Sequence, residues 1–210
     1  MLSGNHTPVF CISEIPEAVR FQFVHIVLPL TRHQNIQTLD YFLQCMEKYV
    51  EDQKECISGI DDNTISEEIA FITSKDVSAI TSGATRPAKA FTSPFLGETI
   101  EQVRDWFVAF IEPISDGYTA FSFLVLDSQT VEDNTCLLVC TLFGELETVR
   151  CDFDVAQIQI VSLEFGSEGM RDGIRDLFMD TGEVMTRELD DIAVEGRLYV
   201  EDGKLKIQEE

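Results

Sequence analysis

Basic residues are scarce in this 210-residue chain. It has 15 Lys and Arg residues against 38 Asp and Glu residues, which gives a formal net charge of −23 at pH 7. A surface of this kind repels the phosphates of nucleic acids and the anionic headgroups of membranes. We therefore expect neither a nucleic-acid nor a membrane partner, and the partner that such a charge favours is a basic protein.

Long apolar runs are missing as well. The run "FQFVHIVLPL" at residues 21–30 is only ten residues long, whereas a membrane-spanning helix needs about 20. The first residues, "MLSGNHTPVF", lack the basic region and apolar region of a secretory signal. The six cysteines follow no zinc-binding spacing. Together these absences predict a cytoplasmic protein with reduced thiols and no structural zinc.

Motifs with a known mechanism are also absent. The chain has no P-loop, no G-x-G-x-x-G and no G-x-S-x-G. Its three histidines, His6, His25 and His33, form no metal-ligand pattern. The sequence thus predicts no cofactor and no metal, and it leaves open whether the protein is an enzyme.

What the chain does have is a substantial apolar content, 44% of all residues, which is typical of a globular protein with a real core. Alternating apolar residues predict a strand at 17–28, and helical spacing predicts a helix from Ile36 to Val50. The polar segment 58–68 follows. We therefore predict an N-terminal strand–helix unit over residues 1–60 and a main domain over 66–210, with one continuous domain as the alternative.

The main domain alternates helical and strand patterns. Thr99 and Gln102 form a plausible capping box for a helix that Pro113 ends, and Asp202-Gly203 is a strong hairpin signal. The further predictions are a short strand at 69–73, an antiparallel pair of strands at 119–128 and 136–143 joined by a turn, a strand at 147–154, a β-prone run at 158–165 and a helix at 167–179. The predicted fold class is α+β, with a mainly antiparallel sheet and helices packed on its faces.

Two stretches in this region, "FSFLVLDSQTVEDNTCLLVC" and "VRCDFDVAQIQIVSLEFGSEGMRDGIRDLF", resemble a microbial domain of unknown function. In that family a strand ends in Asp and a short polar turn, a second apolar strand follows, and a helix closes the unit. The resemblance covers roughly residues 66–187. It implies the same α+β fold class and carries no site residues.

Residues 77–97 contain no acidic residue, although the chain is strongly acidic. They include Arg86 and Lys89 together with two prolines and two glycines. One interpretation is a mobile surface linker. The other is a lid or docking loop, because long loops without secondary structure in compact domains are often functional or disordered.

The candidate ligand-binding residues are Arg150, Asp152 and Asp154. If residues 148–154 form a strand, Val149, Cys151 and Phe153 are buried on one face. The two aspartates then share the other face about 7 Å apart, with Arg150 beside them. Two such carboxylates can bind a ligand or act as an acid–base pair, and they can equally form a solvated strand face with Arg150 as their ion-pair partner.

Two functional hypotheses follow. The first is a non-catalytic, acidic binding or regulatory module. The alternative is a small enzyme or ligand-binding protein with a carboxylate site around Asp152 and Asp154, in which Arg150 orients an anionic group and the 77–97 segment closes over the site.

Overall fold

The fold combines seven strands and six α-helices within the described part of the chain. The computed structural model describes residues 6–13, 38–53, 69–80, 84, 87–88, 91–114, 121–141, 146–164 and 170–208. In chain order the elements are β1 (Thr7–Cys11), α1 (Thr38–Gln53), β2 (Ile69–Phe71), α2 (Ile100–Phe110), β3 (Ser122–Leu126), α3 (Ser128–Asp133), β4 (Thr135–Cys140), β5 (Glu147–Asp152), α4 (Phe153–Glu164), α5 (Met170–Thr181), α6 (Arg187–Val194), β6 (Leu198–Glu201) and β7 (Lys204–Ile207). The strand predicted at 17–28, with His25, lies outside the described residues, as does His33.

Five strands form the main sheet in the order β2-β1-β3-β4-β5, and β6 and β7 form a separate antiparallel pair. The fold is therefore α+β, as predicted. The expectation of a mainly antiparallel sheet is wrong, however, because β1 pairs in parallel with both β2 and β3. Within the five-stranded sheet, the β3–β4 and β4–β5 pairs are antiparallel. The sequence patterns did not predict β1, and its parallel pairing with β2 and β3 is what makes the sheet mixed.

The position of β1 explains why both faces of the sheet carry helices. The connection from β1 to β2 and the connection from β2 to β3 run in opposite directions across the sheet. Because parallel crossovers are almost always right-handed, such connections place their helices on opposite faces. The core agrees: residues of α1 belong to one hydrophobic cluster and residues of α2 to another.

Alternation along the strands divides the core between these two clusters. Phe123 and Val125 of β3 pack on the α2 side, whereas Leu124 and Leu126 pack on the α1 side. All four side chains are buried. A strand that is apolar on both alternating sets is typical of an interior strand covered on two faces, and the sequence prediction for this strand is confirmed.

Helix α2 begins and ends where its sequence predicts. The hydroxyl of Thr99 accepts a hydrogen bond from the Gln102 amide, and the Gln102 side chain accepts one from the Thr99 amide at 2.8 Å. Val103 and Phe107 are its buried residues. The capping box therefore fixes the first turn while the apolar stripe fixes the packing face.

Three predictions between β3 and the end of α4 differ from the structure. The predicted turn at 129–135 contains helix α3, which Asp127 caps by accepting a hydrogen bond from the Thr130 amide at 3.0 Å. The strand predicted at 147–154 ends at Asp152, and the β-prone run at 158–165 lies largely in helix α4. Helix α4 packs on α1 and contacts β3, β4, β5 and α6. Because the helix is in contact on several sides, its apolar residues are not confined to one face and show no clean helical period.

The C-terminal region packs on the α1 side of the sheet. The helix predicted at 167–179 is confirmed in α5, and the predicted hairpin is confirmed in β6 and β7. Asp202 and Gly203 both have positive φ, 51° and 70°, as a type I′ turn requires. None of the helices in the described ranges is long and apolar enough to cross a membrane.

The described residues of the 77–97 segment are anchored to the fold at several points. The Ala84 amide bonds the Ile69 carbonyl at 2.7 Å, and the Ala88 amide bonds the Asp40 carboxylate of α1 at 2.5 Å. Phe95 is fully buried in the α2-side cluster. These contacts argue against a mobile linker for the described part of this segment.

Candidate functional site

Asp152 and Asp154 lie on either side of a junction between a strand and a helix. Asp152 is the last residue of β5 and pairs with Thr135 of β4, while Asp154 lies in the first turn of α4. The prediction that both aspartates belong to one extended strand is wrong. The prediction that Val149, Cys151 and Phe153 are buried is confirmed.

The two aspartates nevertheless open onto the same concave surface, a cleft of about 470 Å³ that we call the acidic cleft. Three parts of the fold form it: helix α1, the end of α3 with the residue after it, and the β5–α4 junction. Its lining residues are Tyr41, Gln44, Cys45, Lys48, Asp133, Asn134, Asp152, Phe153 and Asp154. The cleft thus brings together residues that are about 90 to 110 positions apart in the chain.

Asp133 and Asn134 reach the cleft because α3 ends there. Asn134 adopts the left-handed conformation, with φ 60° and ψ 36°, and its amide bonds the Thr130 carbonyl at 3.1 Å. Asn is one of the residues that tolerate this C-terminal cap geometry. The Asp133 carboxylate in turn accepts a hydrogen bond from the Thr135 amide at 3.1 Å, so the chain turns directly from α3 into β4.

Three carboxylates share the cleft, and the charges of two of them, Asp154 and Asp133, act on the third, Asp152. Burial raises the pKa of Asp152, and the negative charges of Asp154 and Asp133 raise it further, while a hydrogen bond from the Arg187 amide opposes these effects. Like charges at one site disfavour each other's ionised form. A cation in the cleft would relieve this repulsion.

Tyr41 and Cys45 lie one helical turn apart on α1 and hydrogen-bond to each other. Burial, followed by the nearby Asp154 and Asp152 charges, raises the pKa of Cys45 to about 11, with Tyr41 and Lys48 opposing the shift. The Cys45 charge and then burial raise the pKa of Tyr41 to about 12. Both groups are therefore protonated at neutral pH, and Cys45 is not an activated nucleophile.

Arg150 does not line the acidic cleft. Its guanidinium forms an ion pair with Asp127, through Nη2 to Oδ2 and through Nη1 to Oδ1 at 3.3 Å. Nη1 also donates to the Thr135 hydroxyl at 3.0 Å. The side chains of Arg150 and Asp127 are 12% and 16% exposed. Arg150 therefore ties β5 to the N-terminus of α3, and the two predicted aspartates are not its ion-pair partners.

Across the described ranges, no three His, Cys, Asp or Glu side chains come together in a way that could hold a metal ion. None of the described residues of the 77–97 segment is among those that line the cleft.

Sequence reasoning found Asp152 and Asp154 but missed Tyr41, Lys48 and Asp133. The signal for Asp133 was present, because Asp127 followed by Thr130 is a helix N-terminal capping pattern. Reading residues 128–133 as a helix would have placed Asp133 at its end, next to β4. No local pattern indicates that α1 packs against the β5–α4 junction.

Comparison with known proteins adds no family to these findings: no family model, curated protein or solved structure matches this chain. The resemblance of residues 66–187 to a microbial domain of unknown function accordingly stays a prediction.

Proposed function

We propose that this protein is a non-catalytic, acidic binding module whose acidic cleft receives a basic side chain of a partner protein. The observation that carries the proposal is the convergence of Asp133, Asp152 and Asp154 on one concave surface. An ammonium or guanidinium group placed there gains from charge-assisted hydrogen bonds.

Tyr41 and Cys45 fit a binding role, whereas the Lys48 ammonium group on the same surface repels a basic side chain. Burial and then the charges of Asp154 and Asp133 raise the pKa of Asp152, and a bound cation would offset the repulsion among these carboxylates. Tyr41 adds an aromatic ring to the same surface, and aromatic rings attract cations through their π-face. Cys45 and Tyr41 stay protonated, as described above, so they contribute neither a thiolate nor a phenolate.

The net charge of −23 extends the same attraction beyond the cleft. Such a field raises the association rate of a basic partner and is screened by salt. The general charge supplies long-range attraction, whereas the cleft supplies the position at which one basic side chain is bound.

A peptide-binding experiment tests the cleft directly. The probe is a short oligoarginine peptide with a fluorescent label, and its affinity is measured by anisotropy for the wild type and for the double variant Asp152→Asn/Asp154→Asn. We expect the double variant to bind about tenfold more weakly, which corresponds to about 1.4 kcal/mol. Affinity should also fall steeply as salt rises.

The matched control removes two acidic residues elsewhere. Glu201 and Asp202 are exposed at the β6–β7 hairpin, so Glu201→Gln/Asp202→Asn changes the net charge by the same amount without touching the cleft. The proposal requires this control to bind nearly as well as the wild type. Equal losses in the two double variants, or an affinity that does not change with salt, would contradict it.

The second candidate is a small enzyme or ligand-binding protein that uses the same carboxylates. Its support is the raised pKa of Asp152 inside a cleft, because perturbed carboxylates in clefts are common at catalytic sites. A thermal-shift screen with divalent cations and small amines tests it, since a ligand that binds only the folded state raises the unfolding temperature. A shift that persists in Asp152→Asn would remove this candidate.

A further inference from the structure

Two cysteines face each other across the β4–β5 pair. Cys136 and Cys151 are register partners in this antiparallel pair, and their Sγ atoms lie 3.9 Å apart. Both side chains are fully buried on the α1 side of the sheet. In the described ranges they are free thiols, as are the other cysteines there.

The backbone sets the separation of the two residues. The Arg150 carbonyl and the Asp152 amide bond Met185 on the outer side of β5, at 2.8 and 3.0 Å. Cys151 between them therefore directs its own amide and carbonyl towards β4. Opposed residues of this hydrogen-bonded kind have Cα atoms about 5.5 Å apart, and disulfides most often join Cα atoms about 5.5–6 Å apart.

The pair also lies close to the end of the ladder. The only pair beyond it is Thr135 with Asp152, at the acidic cleft. The Arg150–Asp127 ion pair and the Asp152–Met185 hydrogen bond hold this end closed, so any reaction of the two thiols requires local opening of the fold. Opening of this end would expose both sulfur atoms together, whereas the closed sheet keeps them away from solvent.

We propose that Cys136 and Cys151 form a reversible redox site, which a peroxide oxidises to a cross-strand disulfide when the end of the β4–β5 pair opens. One thiolate attacks a peroxide oxygen, which yields a sulfenic acid and hydroxide. The second thiolate then attacks that sulfur, so that the S–S bond forms and a second hydroxide leaves. The two thiol protons convert both hydroxides to water, and hydrogen peroxide is reduced as the two sulfurs are oxidised.

The closed state protects the thiols from this reaction. Burial, with smaller effects from the neighbouring Cys151, raises the pKa of Cys136 well above its usual value. Since the thiolate is the reactive form, the oxidation rate should follow the opening of the sheet edge. The disulfide then fixes β4 to β5 directly beside the acidic cleft.

Peptide mapping of the oxidised full chain tests the proposal. The wild type is treated with hydrogen peroxide in urea below its unfolding transition, its remaining thiols are alkylated in denaturant, and it is digested with trypsin. Trypsin cleaves after Arg150, so Cys136 and Cys140 fall on one peptide and Cys151 falls on the next. We expect a linked pair of these peptides that lacks two hydrogens and separates on treatment with dithiothreitol.

Two single variants identify the partner of Cys151. Cys140→Ala should keep the linked peptides, because Cys140 lies opposite Glu147, and Cys136→Ala should lose them. Recovery of Cys136 and Cys151 as alkylated thiols, or as separately oxidised sulfurs, in the wild type would overturn the proposal. Loss of the link in Cys140→Ala with its retention in Cys136→Ala would overturn it as well.

Discussion

The ion pair between Asp127 and Arg150 leads to a quantitative prediction. The Asp127 carboxylate has two roles: it caps α3 through the Thr130 amide at 3.0 Å, and it pairs with the Arg150 guanidinium. Loss of a helix cap costs about 1 kcal/mol, and a largely buried charge without its partner costs roughly 1–3 kcal/mol. We therefore expect Asp127→Ala to lower the free energy of unfolding by about 2–4 kcal/mol.

Arg150→Met should be milder, at about 1–2 kcal/mol, because the carboxylate still caps α3 and the methionine stem retains much of the packing. In the double variant, the loss should be smaller than the sum of the single losses by about 1–2 kcal/mol, since neither partner is left alone. Urea unfolding followed by far-UV circular dichroism measures all four proteins of this cycle. Losses that add within about 0.5 kcal/mol would refute the argument.

The pH dependence offers a second check on the same pair. Burial alone would raise the pKa of Asp127, but the hydrogen bonds from Arg150 and Thr130 outweigh it and lower the pKa. A carboxyl group with a lowered folded-state pKa contributes its stability above the unfolded-state value of about 3.9. The difference between wild type and Asp127→Ala should thus be full at neutral pH and shrink as the pH falls below about 4.

Three further predictions concern the cleft, two glycines and the α2-side core. Asp152→Asn should stabilise the protein at neutral pH, because the raised pKa of Asp152 means that its ionisation destabilises the folded state. The gain in urea midpoint should vanish as the pH falls to about 4. An equal gain at neutral pH and at pH 4 would contradict this prediction. Gly182→Ala should lower the free energy of unfolding by about 1 kcal/mol, since Gly182 has a φ of 68°. Gly173→Ala, inside α5, should raise it by about 0.5–1 kcal/mol. The two variants should therefore shift the thermal unfolding temperature in opposite directions. Phe123→Ala should cost about 3–5 kcal/mol because its ring is fully buried, and Phe110→Ala, half exposed, should cost far less in the same denaturation assay.

Sequence patterns predicted the elements whose signals are local. The Thr99 capping box, the two faces of β3 and the Asp202-Gly203 turn each depend on residues close together in the chain, and the structure confirms them. Strand β3 is buried along its whole length and was still predicted, because it is part of a longer apolar run. Strand β1 was missed because its five residues form a short run that contains Pro8, and a proline argues against an interior strand.

The candidate site likewise combines residues that a local pattern indicates with residues that only tertiary packing brings together. Asp152 and Asp154 could be selected from their spacing alone, yet the helix that begins at Phe153 was not predicted. The β-branched residues of α4 favour a strand locally, and its packing on α1 and the sheet overrides that preference. The partners of the two aspartates in the cleft depend entirely on tertiary packing.

The interior position of β1 in the sheet has a consequence for synthesis of the chain. Val9 pairs with Phe71 on one side and with Leu124 on the other, so its neighbours are translated about 60 and about 115 residues later. Until β3 leaves the ribosome, the N–H and C=O groups along one edge of β1 have no neighbouring strand with which to pair. Contacts of such long sequence separation slow folding, and the five-stranded sheet can form only after β3 has left the ribosome.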